Sequence, residues 1–303
     1  AGWHEEAGAR VLQAGSFDAN EVYLAIGGNR VVSISDCTQA QVCDPENSMR
    51  ILSMEQSARD ILDFVADCDG FYDIFGGVAV PGTYLYGRTD EALMAEAEAL
   101  KAAGITVVLD LTEEINHYPG RTLIDAVPEY YEHDMIFYRE CLRKLAILGG
   151  DTAIFTTHTA PEAHYTKEQA LSKMQETLAM LAEEAKDYGV KLLLANTRFR
   201  LASGIAEQRQ MINAIGAENM GLCINLNHAQ AGLKSMLRTA GDTLGAVILG
   251  GVDNGENAAY LPVARSTWQA DVLNGLEGVL LIEKSRPYSW EQTLEDVSFM
   301  QWK

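Results

Sequence analysis

One repeating pattern limits the fold of this chain more than any other feature. From residue 70 onward, a short apolar run is followed by a polar loop, then by a helix pattern that ends near glycine. The runs are FYDIFGGVAV (71–80), TVVLDLT (106–112), TAIFTTH (152–158), KLLLAN (191–196), GLCINLN (221–227), GAVILGG (245–251) and GVLLIEK (278–284). Each is nearly continuous and partly β-branched, as suits strands buried on both faces of a parallel sheet. Helix patterns cover 53–67, 89–103, 127–148, 166–188, 203–216, 229–240, 262–274 and 289–301. The strongest is TKEQALSKMQETLAMLAEEAKDYG, in which Thr166 and Gln169 make a capping box. Leu171, Met174, Leu178, Leu181, Ala185 and Tyr188 share one face of it, and Gly189 stops it.

Upstream, RVVSIS (30–35) with the helix pattern at 53–67 adds one more unit, which makes eight strands alternating with eight helices. Strict alternation has two main solutions, an open doubly wound sheet or a closed barrel. Eight units over roughly 250 residues is the size of a TIM barrel. The loop DCTQAQVCDPENSM lacks the glycine fingerprint that a dinucleotide-binding sheet carries after its first strand. The expected fold class is α/β, a single (β/α)8 TIM barrel over 30–303. Residues 1–29 read as a short extension: ARVLQAG as a helix, and EVYLAIGGNRVVSIS as a hairpin turning at Gly27, Gly28 and Asn29.

Charge narrows the partners. The 303 residues carry 43 acidic and 23 basic side chains, a net −20. A field of that sign repels phosphate backbones, so no nucleic acid is expected. No apolar run approaches the roughly 18 residues that span a bilayer, so no membrane is expected either. The start AGWHEEAGAR lacks the basic and apolar stretches of a signal peptide. The five cysteines follow no metal spacing and read as reduced thiols. A cytoplasmic protein is the expectation.

In such a barrel the working groups stand at the C-terminal strand ends and in the loops after them. The sharpest question comes from GLCINLNHAQAG, where Asn225, Asn227 and His228 end a strand. Strand ends that hold hard cations present carboxylates; here the slots hold neutral amides. Together with ALMAEAEALKAAGITVVLDL, GVKLLLANTRF, GAVILGGVDN and GLEGVLLIEKS, this segment resembles the xylose-isomerase-like barrel superfamily of sugar isomerases and epimerases. The match runs from about residue 90 to 300. Each motif is weak alone; their order and spacing are specific.

The resemblance implies a site and its erosion. Family members hold a divalent metal through Glu, Asp, His and Glu on strands five to eight. Carried over, these fall on Ala195, Asn225, Gly250 and Glu283, so that only the last acid survives. The strand-six histidine survives as His228 and the strand-four histidine as His158. The inherited metal site is therefore expected to be lost, leaving no metal and no other cofactor. The implied ligand is a small sugar or polyol. The implied chemistry is isomerase, epimerase or lyase proton transfer through Glu283, with His228 or His158 as partner. Barrels of this family often pair, which implies a homodimer. The alternative is a non-catalytic homologue that acts as a carbohydrate-binding or regulatory subunit.

Several residue roles stay open. Asn196, Asn225 and Asn227 suit hydroxyl recognition, because an amide both donates and accepts. The same amides could instead pair with each other and hold the strand ends together. Arg198 and Arg200 offer grips for a phosphate or carboxylate, or pair with nearby acid, and Arg286 either binds substrate or neutralises Glu283. Glu113 and His117 lie on the loop after strand three, either lining a pocket or solvated.

Overall fold

The computed structural model describes residues 3–6, 9–17, 20–26, 31–34, 50–55, 61–62, 65, 77–112, 115, 122–157, 164–197, 201–228, 232–249, 251–253, 256–261 and 279–284. Within that set, side chains are described between residues 61 and 248, with Asn227 excepted. Eight parallel strands close into a barrel. They are β5 (Arg50–Glu55), β6 (Gly77–Pro81), β7 (Thr106–Asp110), β8 (Thr152–Thr156), β9 (Lys191–Ala195), β10 (Met220–Asn225), β11 (Leu244–Leu249) and β14 (Val279–Lys284). The last strand closes on the first over six residue pairs, from Val279 against Arg50 to Lys284 against Glu55. A small antiparallel hairpin, β12 (Gly251–Asp253) with β13 (Glu256–Leu261), interrupts the alternation before β14.

Four further strands form a separate antiparallel sheet in the order β1 (Trp3–Glu6), β2 (Ala9–Phe17), β3 (Asn20–Ile26), β4 (Val31–Ile34). The hairpin expected there is present as the β3–β4 pair. Two expectations differ. ARVLQAG lies in a strand, β2, and not in a helix. The first barrel strand is β5, whereas the sequence pattern placed it at 30–35 and began a helix at 53. Short apolar runs suit either state, and pairing decides between them. RILSME has a ladder neighbour on each side, β14 and β6, and β2 has β1 and β3.

The helices follow the expected rhythm: α1 (Gly82–Tyr86), α2 (Asp90–Ala103), α3 (Pro128–Leu148), α4 (Lys167–Asp187), α5 (Ile205–Ile215) and α6 (Leu233–Ala240). In α4 the Thr166–Gln169 capping box forms, and Met174, Leu178, Leu181 and Ala185 are fully buried. Gly189 takes a left-handed φ of 70° just after the end, which a side chain would strain. Tyr188, expected on the same face, is instead exposed. The patterns at 262–274 and 289–301 lie outside the described residues.

The core has two layers. The larger packs helices onto the outside of the strands. The smaller fills the ring itself with Ala79, Val108, Ile154, Leu193, Ala195, Cys223, Ala246 and Ile248. Leu193 needs two glycines there. A Cβ on Gly221 would come within 2.9 Å of Leu193 Cδ2, and one on Gly245 within 2.6 Å.

Candidate functional site

Strand alternation places the site. Side chains two residues apart share a face, so Asp110, Thr156 and Asn225 continue inward from Val108, Ile154 and Cys223. They end β7, β8 and β10, and Ala195 ends β9 between them. The mouth of the barrel thus carries a carboxyl, a hydroxyl, a methyl and an amide on four successive strands. Asp110 is 5% exposed and accepts from the Thr112 N–H at 2.9 Å, which turns the chain out of β7.

The β9–β10 end is the most elaborate part. The Asn196 N–H donates to the Cys223 carbonyl at 3.3 Å, continuing the parallel ladder. In that ladder the next bond would run from the Asn225 N–H to the main-chain carbonyl of Asn196. Instead the Asn225 N–H donates to Asn196 Oδ1 at 2.7 Å. Asn196 Nδ2 then donates to the carbonyls of Asn225, at 2.9 Å, and His228, at 3.1 Å. Both amide hydrogens are spent on main chain, and Asn196 is 2% exposed. His228, half-buried, ends the short 3-10 turn Leu226–His228 that leads off β10.

Behind this end, the Ala195 carbonyl accepts from Gln208 Nε2 of α5 at 2.9 Å and from Thr156 Oγ1 at 3.4 Å. The Ala195 methyl is 1% exposed within the apolar filling of the ring. The loop after β9 closes on itself where the Thr197 N–H donates to the Ser203 carbonyl at 3.2 Å. Its Ala202 holds a left-handed φ of 45°, a conformation that costs a non-glycine residue about 1–2 kcal/mol.

Of the expected site residues, the structure brings Asn196, Asn225 and His228 together in one network. Glu283 lies in β14 in register with Met54, two residues on from Leu281, which pairs with Ile248 of the ring filling. The side chains of Glu283 and Asn227 are outside the described set, as are residues Glu113, His117, His158, Arg198 and Arg286. Asp110 joins the strand ends as its place after strand three suggested, and Thr156 and Gln208 join them without having been selected. The signal available for Asp110 and Thr156 was their parity with the apolar residues two positions before them. Gln208 carried none, because a glutamine on a helix reads as a solvated surface residue.

A groove of about 540 Å³ opens elsewhere, on the helix side, lined by Tyr86, Ile136, Arg139, Arg143 and Tyr188 among others. Its cations are engaged: Arg139 with Glu184, and Arg143 with Asp90 and Glu140. It is lined by residues in or just after helices and not by the strand ends where barrel chemistry is built. Among the described residues no helix is long and apolar enough to cross a membrane.

Several solved structures share the fold. The 3-keto-D-glucoside 4-epimerase of E. coli, in its apo form, aligns with a TM-score of 0.65 at 18% identity, over 82% of this chain and 97% of its own. D-psicose 3-epimerase with D-tagatose, from Clostridium cellulolyticum H10, aligns at 0.63 and 15%, over 82% and 90%. The probable 3-DHS dehydratase of Bacillus anthracis aligns at 0.63 and 9%, over 83% and 97%. No curated protein sequence matches. The family model described as xylose isomerase-like TIM barrel matches residues 69–268, more than half of the chain. With the closed ring and its strand-end mouth, that match settles the family: the chain belongs to the xylose isomerase-like TIM barrels.

Proposed function

We propose that this protein is a sugar or polyol isomerase or epimerase that works at the mouth of the barrel without a metal. The observation that carries the reading is the set of small polar groups at three of four neighbouring strand ends, Asp110, Thr156 and Asn225, in a member of this family. Hydroxyl and amide groups match the alternating donors and acceptors of a polyol. Structures of similar fold bear the names of sugar epimerases and of a dehydratase.

Glu283 is the proton-transfer group of this reading, at the end of β14. It takes a proton from the carbon beside a carbonyl, and His228 or His158 returns one, the division of labour that general acid–base catalysis requires. Asn225, Asn227, Arg198, Glu113, His117 and Arg286 complete the proposed binding set, with Asn196 behind them. The donor chemistry argues against a cation. Position 195 is a methyl packed among apolar neighbours, position 225 a neutral amide, and position 250 a glycine. One retained carboxylate does not replace the several anionic oxygens that a divalent ion requires. The homodimer and the cytoplasmic setting belong to the same proposal.

Metal analysis and a thermal-shift series with D-psicose, D-tagatose and D-fructose test it together. The expected result is less than stoichiometric manganese, zinc or magnesium, and a melting temperature raised by a sugar whether or not chelator is present. Stoichiometric metal overturns the metal-free claim; no shift with any sugar overturns the ligand class. Glu283→Gln should keep the sugar-induced shift and lose turnover. A second reading, a non-catalytic sugar-binding or regulatory subunit, is favoured by Ala195, since no acid–base group stands there. It predicts the shift without turnover in the unmutated protein.

A further inference from the structure

We infer that Asn196 is a positioning residue: its side-chain amide takes over the final rung of the β9–β10 ladder and so aims Asn225 and His228 at the mouth. The inference rests on the proposed site only for what is bound there; the clamp itself stands on the three bonds described. In an uninterrupted parallel ladder, the carbonyl that receives the Asn225 N–H belongs to the main chain of residue 196. Here Oδ1 occupies that place at 2.7 Å, which frees the main chain of β9 to leave the sheet one residue early. β10 nevertheless stays paired as far as Asn225. The two donated bonds, to the carbonyls of Asn225 and His228, span the 3-10 turn from its first approach to its last residue. One rigid amide therefore sets where the turn begins, where it ends, and where the backbone of the half-buried His228 lies.

The pairing is built for this geometry and not for generic cohesion. Asn196 is 2% exposed, its amide plane is fixed by three partners, and its neighbour Ala195 is fixed separately by Gln208. Aspartate at this position keeps the acceptor and loses both donors. It also sets a negative charge against two carbonyl oxygens. Alanine loses all three bonds. The two variants therefore separate the rung from the hold on the turn.

The test compares the full chain with Asn196→Ala and Asn196→Asp, well below their melting temperatures. Amide hydrogen exchange at Asn225 and the imidazole resonances of His228 are the readouts. We expect Asn196→Ala to speed exchange of the Asn225 amide about tenfold or more, the scale of one lost buried hydrogen bond, while the Leu222 and Cys223 amides keep their rates. In Asn196→Asp the Asn225 amide stays protected. The His228 ring resonances move in both variants. D-psicose and D-tagatose titrations then show weaker binding in both. Unmoved His228 resonances in a folded variant overturn the inference, as does a loss of protection spread evenly along β10. If no sugar binds even the unmutated chain, the ligand reading fails while the exchange and imidazole arms still decide the clamp. If Asn196→Ala does not fold, Asn196→Asp decides by the imidazole signal alone.

Discussion

Two regions of the barrel satisfy their polar groups in opposite ways. At the β9–β10 end a single neutral amide, shut off from water, serves three main-chain groups. On the outer face of α3, Arg143 reaches Asp90 at 2.7 Å and Glu140 at 2.8 Å, all three about a third or more exposed. Both regions are well hydrogen-bonded, yet their chemistry differs. Water replaces the outer contacts when they break, so they contribute little and fade with salt. Nothing among the described residues replaces the inner ones, so a missing partner there leaves buried donors and acceptors orphaned.

The difference can be broken from the inside first. Asn196→Ala should lower the unfolding free energy by about 2–4 kcal/mol, since it orphans one N–H and two carbonyls at once; chemical denaturation measures this, and a loss near zero would make the two regions equivalent. Gln208→Met keeps volume and removes the donor to Ala195. It should cost less, about 1–2 kcal/mol, because Thr156 still reaches the same carbonyl. Arg143→Ala should cost least, and its effect should vanish in about 1 M salt, where the screening length is about 3 Å. A loss that persists in salt would mean that the outer cluster is also dry.

Acidity sharpens the comparison further. Hydrogen bonds from Arg143 hold the carboxyls of both Asp90 and Glu140 below their ordinary values of 3.8 and 4.5. Groups lowered in the folded state contribute stability that is present above those ordinary values, and lose it as pH falls through the folded ones. The unmutated protein should therefore weaken slightly as pH falls below about 4, and Arg143→Ala should flatten that limb. Asn196→Ala should leave the limb's slope alone, since an amide does not titrate. Denaturation midpoints measured from pH 5 down to about pH 2.5 follow both slopes.

Much of the ring was legible because burial on both faces leaves an unmistakable apolar run. Seven runs fall where β6 to β11 and β14 lie, with ends that differ by a few residues. Thr166 with Gln169 marked the start of α4 before any packing was known. RILSME was not legible, since six residues with one β-branched member satisfy a helix as readily as a strand until neighbours claim them. ARVLQAG failed for the same reason. The site was legible only as a choice. Asn196 suited a polyol hydroxyl or a partner amide, and only its two bonds in the folded chain show that its hydrogens go to main chain. Asp110 was visible as a strand end, but its bond to Thr112 depends on the turn that follows.

Leu193 gives the barrel a floor. It lies over two bare backbones, Gly221 and Gly245, directly beneath the level of Ala195. With its seven neighbours it plugs the ring, so the polar strand ends Asp110, Thr156 and Asn225 stand on an apolar base. Trimming that leucine should leave a cavity beneath the strand ends, at a cost of about 2–5 kcal/mol. A methyl added at Gly245 would meet Leu193 Cδ2 at 2.6 Å, so the leucine must shift to admit it. The packing beneath the mouth is thus adjustable from either side of one contact, and the unfolding free energies of the Leu193→Ala and Gly245→Ala proteins are where it would be read.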